Sequence, residues 1–486
     1  MSSVRFYNTR TRSIEDFKPH DDTVVKLYTC GPTVYDYLHI GNWTAYIYWD
    51  VLVRILEANQ YKVERVMNIT DVGHLVSDAD DGEDKLEKGA RRENKTAWDI
   101  ARFYGDDFLQ GMERLNFILP QHITKATEYI DQQLDLVRTL KNKGYTYQID
   151  DGIYFDTSKF PTYSDFAHLD LAAQKAGARV EFNDKKRSSS DFALWKFTPE
   201  NEKRDMEWDT PQDILESDDT KKGFPGWHLE CSAMAMDILG KTLDIHTGGI
   251  DHIPVHHTNE IAQSEAATGK QFSNFWLHNN HLKSNGTKIS KSLGNGYTLE
   301  DLADKGFTPE DLRMLILQSS YQTEGNFTFE NLAAAAQRLQ NWRRTAALRH
   351  QTYDTLDNSN GPEFQPSYAT RQALIEKVSD NLNTPEALSF VDSVFDKIES
   401  AGLGAINRDS LVEFLNTIDT VLGFKLIEKT PDITDEQKQY ILKRTNAREA
   451  KEWKTADDYR AILLDENIVL DDTKHGTVWH YQKIEA

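Results

Sequence analysis

The residues best able to do chemistry are few and far apart. Cys30 and Cys231 are the only two cysteines, and His256 and Glu260 stand four residues apart. On a helix that spacing puts the imidazole and the carboxylate on one face. Two sulfurs, one nitrogen and one oxygen form an acceptable ligand set for zinc. The plain alternatives are two buried apolar cysteines and an ordinary surface His–Glu pair. A disulfide is disfavoured in a reducing cytosol. The cysteines lie too far apart for a zinc finger. Ligands scattered at strand ends are instead what an active-site metal needs, although spacing alone does not bring them together.

A second chemistry surrounds Cys30. Residues 27–42 read as the end of a strand, a break at Cys30-Gly31-Pro32, and a loop carrying His39-Ile40-Gly41-Asn42 to a helix start. Free backbone N–H groups and the helix dipole make such a turn a phosphate cradle. Further on, Asn285 to Asn295 is an exposed polar loop containing Lys288 and Lys291.

These residues need elements to position them. Val24–Thr29 and Lys62–Ile69 are β-branched and apolar, and read as strands. Ile47, Val51 and Ile55 recur every four residues as one helical stripe. Strands alternating with helices over 1–118 argue for a Rossmann-like parallel sheet, with Cys30 and Thr70 at the carboxyl ends of strands. Residues 119–205 read as an α+β insertion. Within it Thr124 caps a helix that Gly144 stops, and Tyr145–Ile149 with Ile153–Phe155 flank a hairpin turn. The sheet domain resumes over 206–275, and 276–327 holds the lysine loop. Thr308-Pro309-Glu310-Asp311 is a strong helix start. A helical bundle over 328–428 and a small domain over 429–486 complete an α/β protein of several domains.

Composition narrows the class. The chain has 486 residues, with 39% hydrophobic and 28% charged residues, which are globular values. No run of 18 apolar residues is present, so no membrane span is expected, and Met1–Phe6 lacks an apolar signal core, pointing to the cytoplasm. The acidic run Ser77–Asp84 fails the spacing of a calcium loop and reads as a solvated loop. A net charge of −22 repels nucleic acid, so any RNA contact needs basic residues gathered locally. Arg444, Arg448, Lys451 and Lys454 have the spacing of one helical face.

Taken together, Tyr28–Asp36, His39–Asn42, Asn68–Asp71, Gly226–Met234 and Lys288–Ser292 resemble the cysteinyl-tRNA synthetases, a class I aminoacyl-tRNA synthetase family. So do Ala176–Val180, Asp191–Lys196, Asn383–Ala387 and Ala447–Trp453, and the resemblance covers nearly the whole chain in order. It implies ATP-dependent activation of L-cysteine, with Mg2+, and transfer to tRNA(Cys) by a monomeric chain. His39, Gly41, Asn42, Lys288 and Lys291 are then the ATP and catalytic residues. Cys30, Cys231, His256 and Glu260 hold one Zn2+, and Thr70, Trp227 and His246 surround the cysteine. Arg448, Trp453, Asp457 and Asp472 are the implied anticodon contacts, and Trp453 and Trp479 offer stacking faces for unpaired bases. The family's first signature commonly ends in histidine, where this chain has Asn42. Two other readings remain: a cysteine:amino-sugar ligase of mycothiol synthesis, and a non-catalytic RNA-binding paralogue.

Overall fold

The computed structural model describes residues 3–21, 23–73, 84–169, 185–290, 293–351, 365–401 and 407–482. Most of the acidic run, the motif at 176–180 and Lys291 with Ser292 lie outside these. Chain order opens with a hairpin of β1 (Arg5–Asn8) and β2 (Ser13–Asp16), followed by β3 (Val25–Thr29), helix α1 (Ile40–Ala58), β4 (Val63–Ile69) and β5 (His122–Lys125). With β11 (Leu243–Gly249) and β12 (Ser273–Asn279), the last three strands form a parallel sheet of order β12-β11-β3-β4-β5. Parallel strands are covered on both faces, and β4 is accordingly buried at all but one of its positions.

Helix α1 departs from the expected single stripe. It is buried nearly all round, because the sheet, the Ala97–Arg114 helix and the bundle all pack on it. Its two buried charges are therefore paired. Asp50 accepts from Arg54 Nε at 2.7 Å and also from Arg313. Arg313 Nε in turn donates to the Leu422 carbonyl at 2.6 Å. This network ties α1 and the Pro309–Leu317 helix to the bundle helix Arg408–Leu422.

Strand pairing differs from the sequence segmentation at both ends of the insertion. Thr124 is not a helix cap. It lies in β5, and a 3-10 turn (Ala126–Tyr129) leads into the helix Ile130–Asn142. The antiparallel sheet of the insertion has the order β6-β7-β8-β10-β9, from Thr146–Ile149, Gly152–Phe155, Phe192–Phe197, Lys222–Pro225 and Trp208–Asp209. Residues up to Pro225 thus belong to it, past the resumption expected at 206. The cross-strand partners of β10 on β8 are invisible to local pattern. Asp84 is also not solvated. It is buried, caps the Lys85–Glu93 helix and pairs with Arg204.

A small sheet of β14 (Thr287–Lys288), β13 (Leu282–Ser284) and β15 (Gly325–Phe327) follows. Thr308 caps Pro309–Leu317 through a capping box with Asp311. The bundle comprises Phe329–Ala347, Tyr368–Ser379, Thr384–Ala401 and Arg408–Leu422. Two helices, Asp435–Glu449 and Trp453–Asp465, and the hairpin β16 (Ile468–Thr473) with β17 (Gly476–Tyr481) end the described chain. Gln351 docks this last unit by bonding the Trp479 carbonyl at 2.9 Å and its N–H at 3.3 Å. Among the described residues no helix is long and apolar enough to cross a membrane.

Candidate active site and metal centre

The carboxyl ends of β3, β4 and β11 meet at one edge of the parallel sheet. Cys30 follows β3 and donates its N–H to the Thr247 carbonyl of β11 at 3.2 Å. Gly31 then donates to Asn68 Oδ1 at 2.8 Å. A Cβ on Gly31 would lie 1.7 Å from the Asn68 carbonyl oxygen, so only glycine lets the backbone pass. Cys231 comes from the buried face of the Trp227–Leu239 helix, and Glu260 from the first turn of the Thr258–Thr268 helix. A π-turn, Ile253–His257, delivers His256 and His257 just before that helix.

The donor atoms of Cys30, His256, His257 and Glu260 all lie within 4.8 Å of one another, and all four residues are buried. His256 Nε2 is 2.8 Å from Glu260 Oε1, and Cys30 Sγ is 3.9 Å from the same oxygen. Cys231 interacts with Cys30 and His256 and lines the same cleft as both. The group of four donors holds three of the ligands implied by the resemblance, Cys30, His256 and Glu260, with His257, which sequence reading missed, as its fourth member, while Cys231 lines the cleft beside it. The signal for His257 is the His256-His257 dipeptide, in which only His256 has the four-residue spacing to Glu260. His257 Nε2 lies 3.5 Å from Cys30 Sγ, while its Nδ1 meets His278 Nε2 at 2.7 Å.

Charge in this cluster suits a cation. Burial alone would raise the Glu260 carboxyl, but His246 and His256 hold it well below the usual carboxylate range. Burial works against charge on His256 too, yet Glu260 and Cys231 push it up to about 10. Cys231, bonded by Cys30, is lowered, and Cys30 is raised by burial. A buried set of sulfur, nitrogen and carboxylate donors fits zinc and not magnesium or calcium, which take oxygen ligands.

Cys30 and His256 of this cluster line a cleft of about 580 Å³. Thr70 and Trp227 line it beside Cys30, Cys231 and His256. Thr70 Oγ1 donates to Glu230 at 3.0 Å, and the Trp227 ring centroid is 4.8 Å from that of His256. His246 stands elsewhere than expected. It is fully buried behind Glu260, bonding Oε2 at 2.9 Å, and is not part of the cleft wall.

The start of α1 lines the same cleft. His39, Gly41 and Asn42 line it, and Lys288 reaches it from β14. Asn42 takes part in a capping box with His39, a local role for the residue that departs from the family signature.

The RNA-facing expectations fare differently. Arg444, Arg448, Lys451 and Lys454 do not share a helical face. The helix ends at Glu449, Lys451 has a left-handed φ of 63°, and Lys454 belongs to the next helix. Arg444 is buried and, with Arg448, is tied to Asp472. Those two arginines keep the Asp472 carboxyl far below its ordinary range. Trp479 is only 3% exposed and packs on His350 and Tyr481, so it offers no face to a base. Trp453, at 60% exposure, and Asp457 do face solvent.

Comparison with known proteins agrees with this geometry. The family model for the tRNA synthetases class I (C) catalytic domain matches residues 16–337. Cysteine--tRNA ligase 1 of Burkholderia lata is 42% identical over 478 residues, covering 97% of this chain and 96% of that protein. Cysteine--tRNA ligase of Treponema denticola is 38% identical over 508 residues, covering 98% and 99%. The solved Mycobacterium tuberculosis methionyl-tRNA synthetase in complex with methionyl-adenylate aligns with a TM-score of 0.57 at 14% identity, over 87% of this chain and 94% of that one, a likeness of fold. With a catalytic-domain match over most of its length and relatives this similar from end to end, the chain belongs to the cysteine--tRNA ligase family of class I aminoacyl-tRNA synthetases.

Proposed function

We propose that this chain activates L-cysteine with ATP and Mg2+ and transfers it, as a monomer, to tRNA(Cys). One observation carries the reading: residues of a buried thiol-and-imidazole group and a helix N-terminus suited to phosphate line one cleft. That arrangement matches a substrate with a side-chain thiol at one end and a polyphosphate at the other. The full-length likeness to relatives extends through the C-terminal unit, which favours a tRNA acceptor over an amino sugar.

In the first step the cysteine carboxylate attacks the α-phosphorus of ATP and pyrophosphate leaves. In the second, a terminal ribose hydroxyl of the tRNA takes the cysteinyl group and AMP leaves. The residues act by placing charge and excluding wrong geometry. His39, the Gly41 N–H and the Asn42 amide face the phosphates, with Lys288 and Lys291 neutralising charge as it develops on the leaving group. Thr70 and Trp227 flank the amino acid, while His246 acts through Glu260. Cys30, Cys231, His256 and Glu260 would hold a zinc ion. When bound there, zinc would supply a preference for a thiolate that serine's hydroxyl cannot imitate at neutral pH, where size alone discriminates by only about 1–3 kcal/mol. Trp453 and Asp457, exposed on the last domain, face the anticodon bases, and the Arg448–Asp472 pair frames them.

The test is amino-acid-dependent ATP–pyrophosphate exchange, run with cysteine and with serine, before and after a zinc chelator. Exchange that needs cysteine and is lost with the metal supports the reading. Equal exchange with serine, or full activity without metal, sinks it.

A further inference from the structure

The lysine loop hangs from the small sheet of order β14-β13-β15. Its antiparallel register puts Lys283 of β13 directly opposite Lys288 of β14. On the other side, β13 runs parallel to β15, pairing Lys283 with Asn326. Glu324, two residues before Asn326, reaches the lysine, and Lys283 Nζ is 2.7 Å from Glu324 Oε1. Leu282 and Ser284 are buried on either side, so strand alternation turns Lys283 away from the core. Lys283, Lys288 and Glu324 all line the 580 Å³ cleft.

Like charges directly opposite on neighbouring strands repel. Nothing in the packing of this sheet requires two lysines there, and Lys288 is exposed with no carboxylate of the described residues against it. Among the described residues Glu324 pairs with Lys283 alone. The Lys283–Glu324 pair is itself accessible, with side chains 38% and 45% exposed. An exposed ion pair of that kind contributes little and is easily exchanged, whereas a charge-assisted bond to phosphate is stronger and shorter. A polyanion between the two lysines would remove their repulsion and outcompete the carboxylate.

We propose that Lys283 is a further phosphate-binding residue of the nucleotide site, releasing Glu324 to solvent when the triphosphate, or product pyrophosphate, enters. This rests on the reading of the cleft as an ATP site. It assigns Lys283 to binding of the β- and γ-phosphates beside Lys288, and Glu324 to a competing internal anion.

The two partners predict opposite effects, which a merely structural tie would not. Equilibrium binding of ATP to the full chain is measured alongside cysteine-dependent exchange, for wild type, Lys283→Met and Glu324→Gln, with thermal unfolding of each. Lys283→Met is expected to weaken ATP binding and raise the pyrophosphate KM by about tenfold, with the cysteine KM unchanged. Glu324→Gln is expected to tighten ATP roughly two- to fivefold, because the competing anion is gone. If Lys283→Met binds ATP like wild type, or Glu324→Gln weakens it as Lys283→Met does, the pair is a tie between strands and the inference is overturned. Absence of cysteine-dependent exchange in the wild type overturns the functional reading instead, and unchanged ATP affinities in an active enzyme overturn only this one.

Discussion

Asn42 and His39 cap each other at the head of α1. The His39 N–H donates to Asn42 Oδ1 at 3.1 Å, and the Asn42 N–H donates to His39 Nδ1 at 3.3 Å. The first satisfies the N–H of the capping residue itself, and the second adds to the bond that the Asn42 N–H makes to the His39 carbonyl at 2.8 Å. The amide oxygen of Asn42 is thus committed to the backbone, which leaves its NH2 as the group that can meet a phosphate.

That division separates stability from catalysis. Asn42→Asp keeps an oxygen on the His39 N–H and suits the helix dipole, so the melting temperature should stay at or above wild type. The added carboxylate sits where phosphate is expected, so exchange activity should fall by about a hundredfold or more. Asn42→Ala should instead cost about 0.5–1 kcal/mol by loss of the cap, with a smaller loss of activity. Chemical denaturation and exchange kinetics on the two variants check both halves.

The metal cluster predicts linked losses. Wild type should bind one zinc per chain, and Cys231→Ala should lose both the metal and cysteine activation. Cobalt substitution offers an independent readout, since thiolate-to-cobalt absorption should appear in wild type and weaken in the variant. Stoichiometric zinc in Cys231→Ala would falsify its place among the ligands.

Asp71 predicts a pH dependence of stability. Burial is the main cause that lifts its carboxyl to about 6, and Thr127 opposes the lift with two hydrogen bonds. The folded state therefore holds this proton more tightly than the unfolded one. Stability contributed by the protonated form is intact below about pH 4 and is lost as pH rises through about 6. The displacement is worth about 3 kcal/mol. Asp71→Asn should flatten that part of the curve, measured as unfolding free energy against pH from 4 to 8. An unchanged slope would show that Asp71 is ionised in the fold without penalty.

The two tryptophans of the last domain should behave in opposite ways. Trp479→Ala empties a packed position and should cost about 3–5 kcal/mol. Trp453→Ala should leave stability within about 0.5 kcal/mol, because its side chain faces water. If Trp453 stacks on an anticodon base, its removal should weaken tRNA binding by about 1–3 kcal/mol while pyrophosphate exchange continues unchanged. Equal tRNA affinity in Trp453→Ala and wild type would remove it from the interface.

The sequence by itself determined the chemistry on offer and the local frame around it. The parallel strands β3 and β4, the break at Gly31, the start of α1 and the Thr308 cap were legible because each depends on neighbours within a turn or a strand. Ligand types were legible because sulfur, imidazole and carboxylate carry their reactivity wherever they stand. Tertiary structure alone decided their convergence, since Cys30, Cys231 and Glu260 come from three separate elements. It also decided that His246 stands behind Glu260, that β9 and β10 join the insertion sheet, and that Arg444 and Trp479 turn inward. Helical spacing assigned a face to Arg444, but spacing cannot say what packs on that face. Burial and pairing between distant segments are settled by the free energy of the whole fold, and no local pattern encodes them.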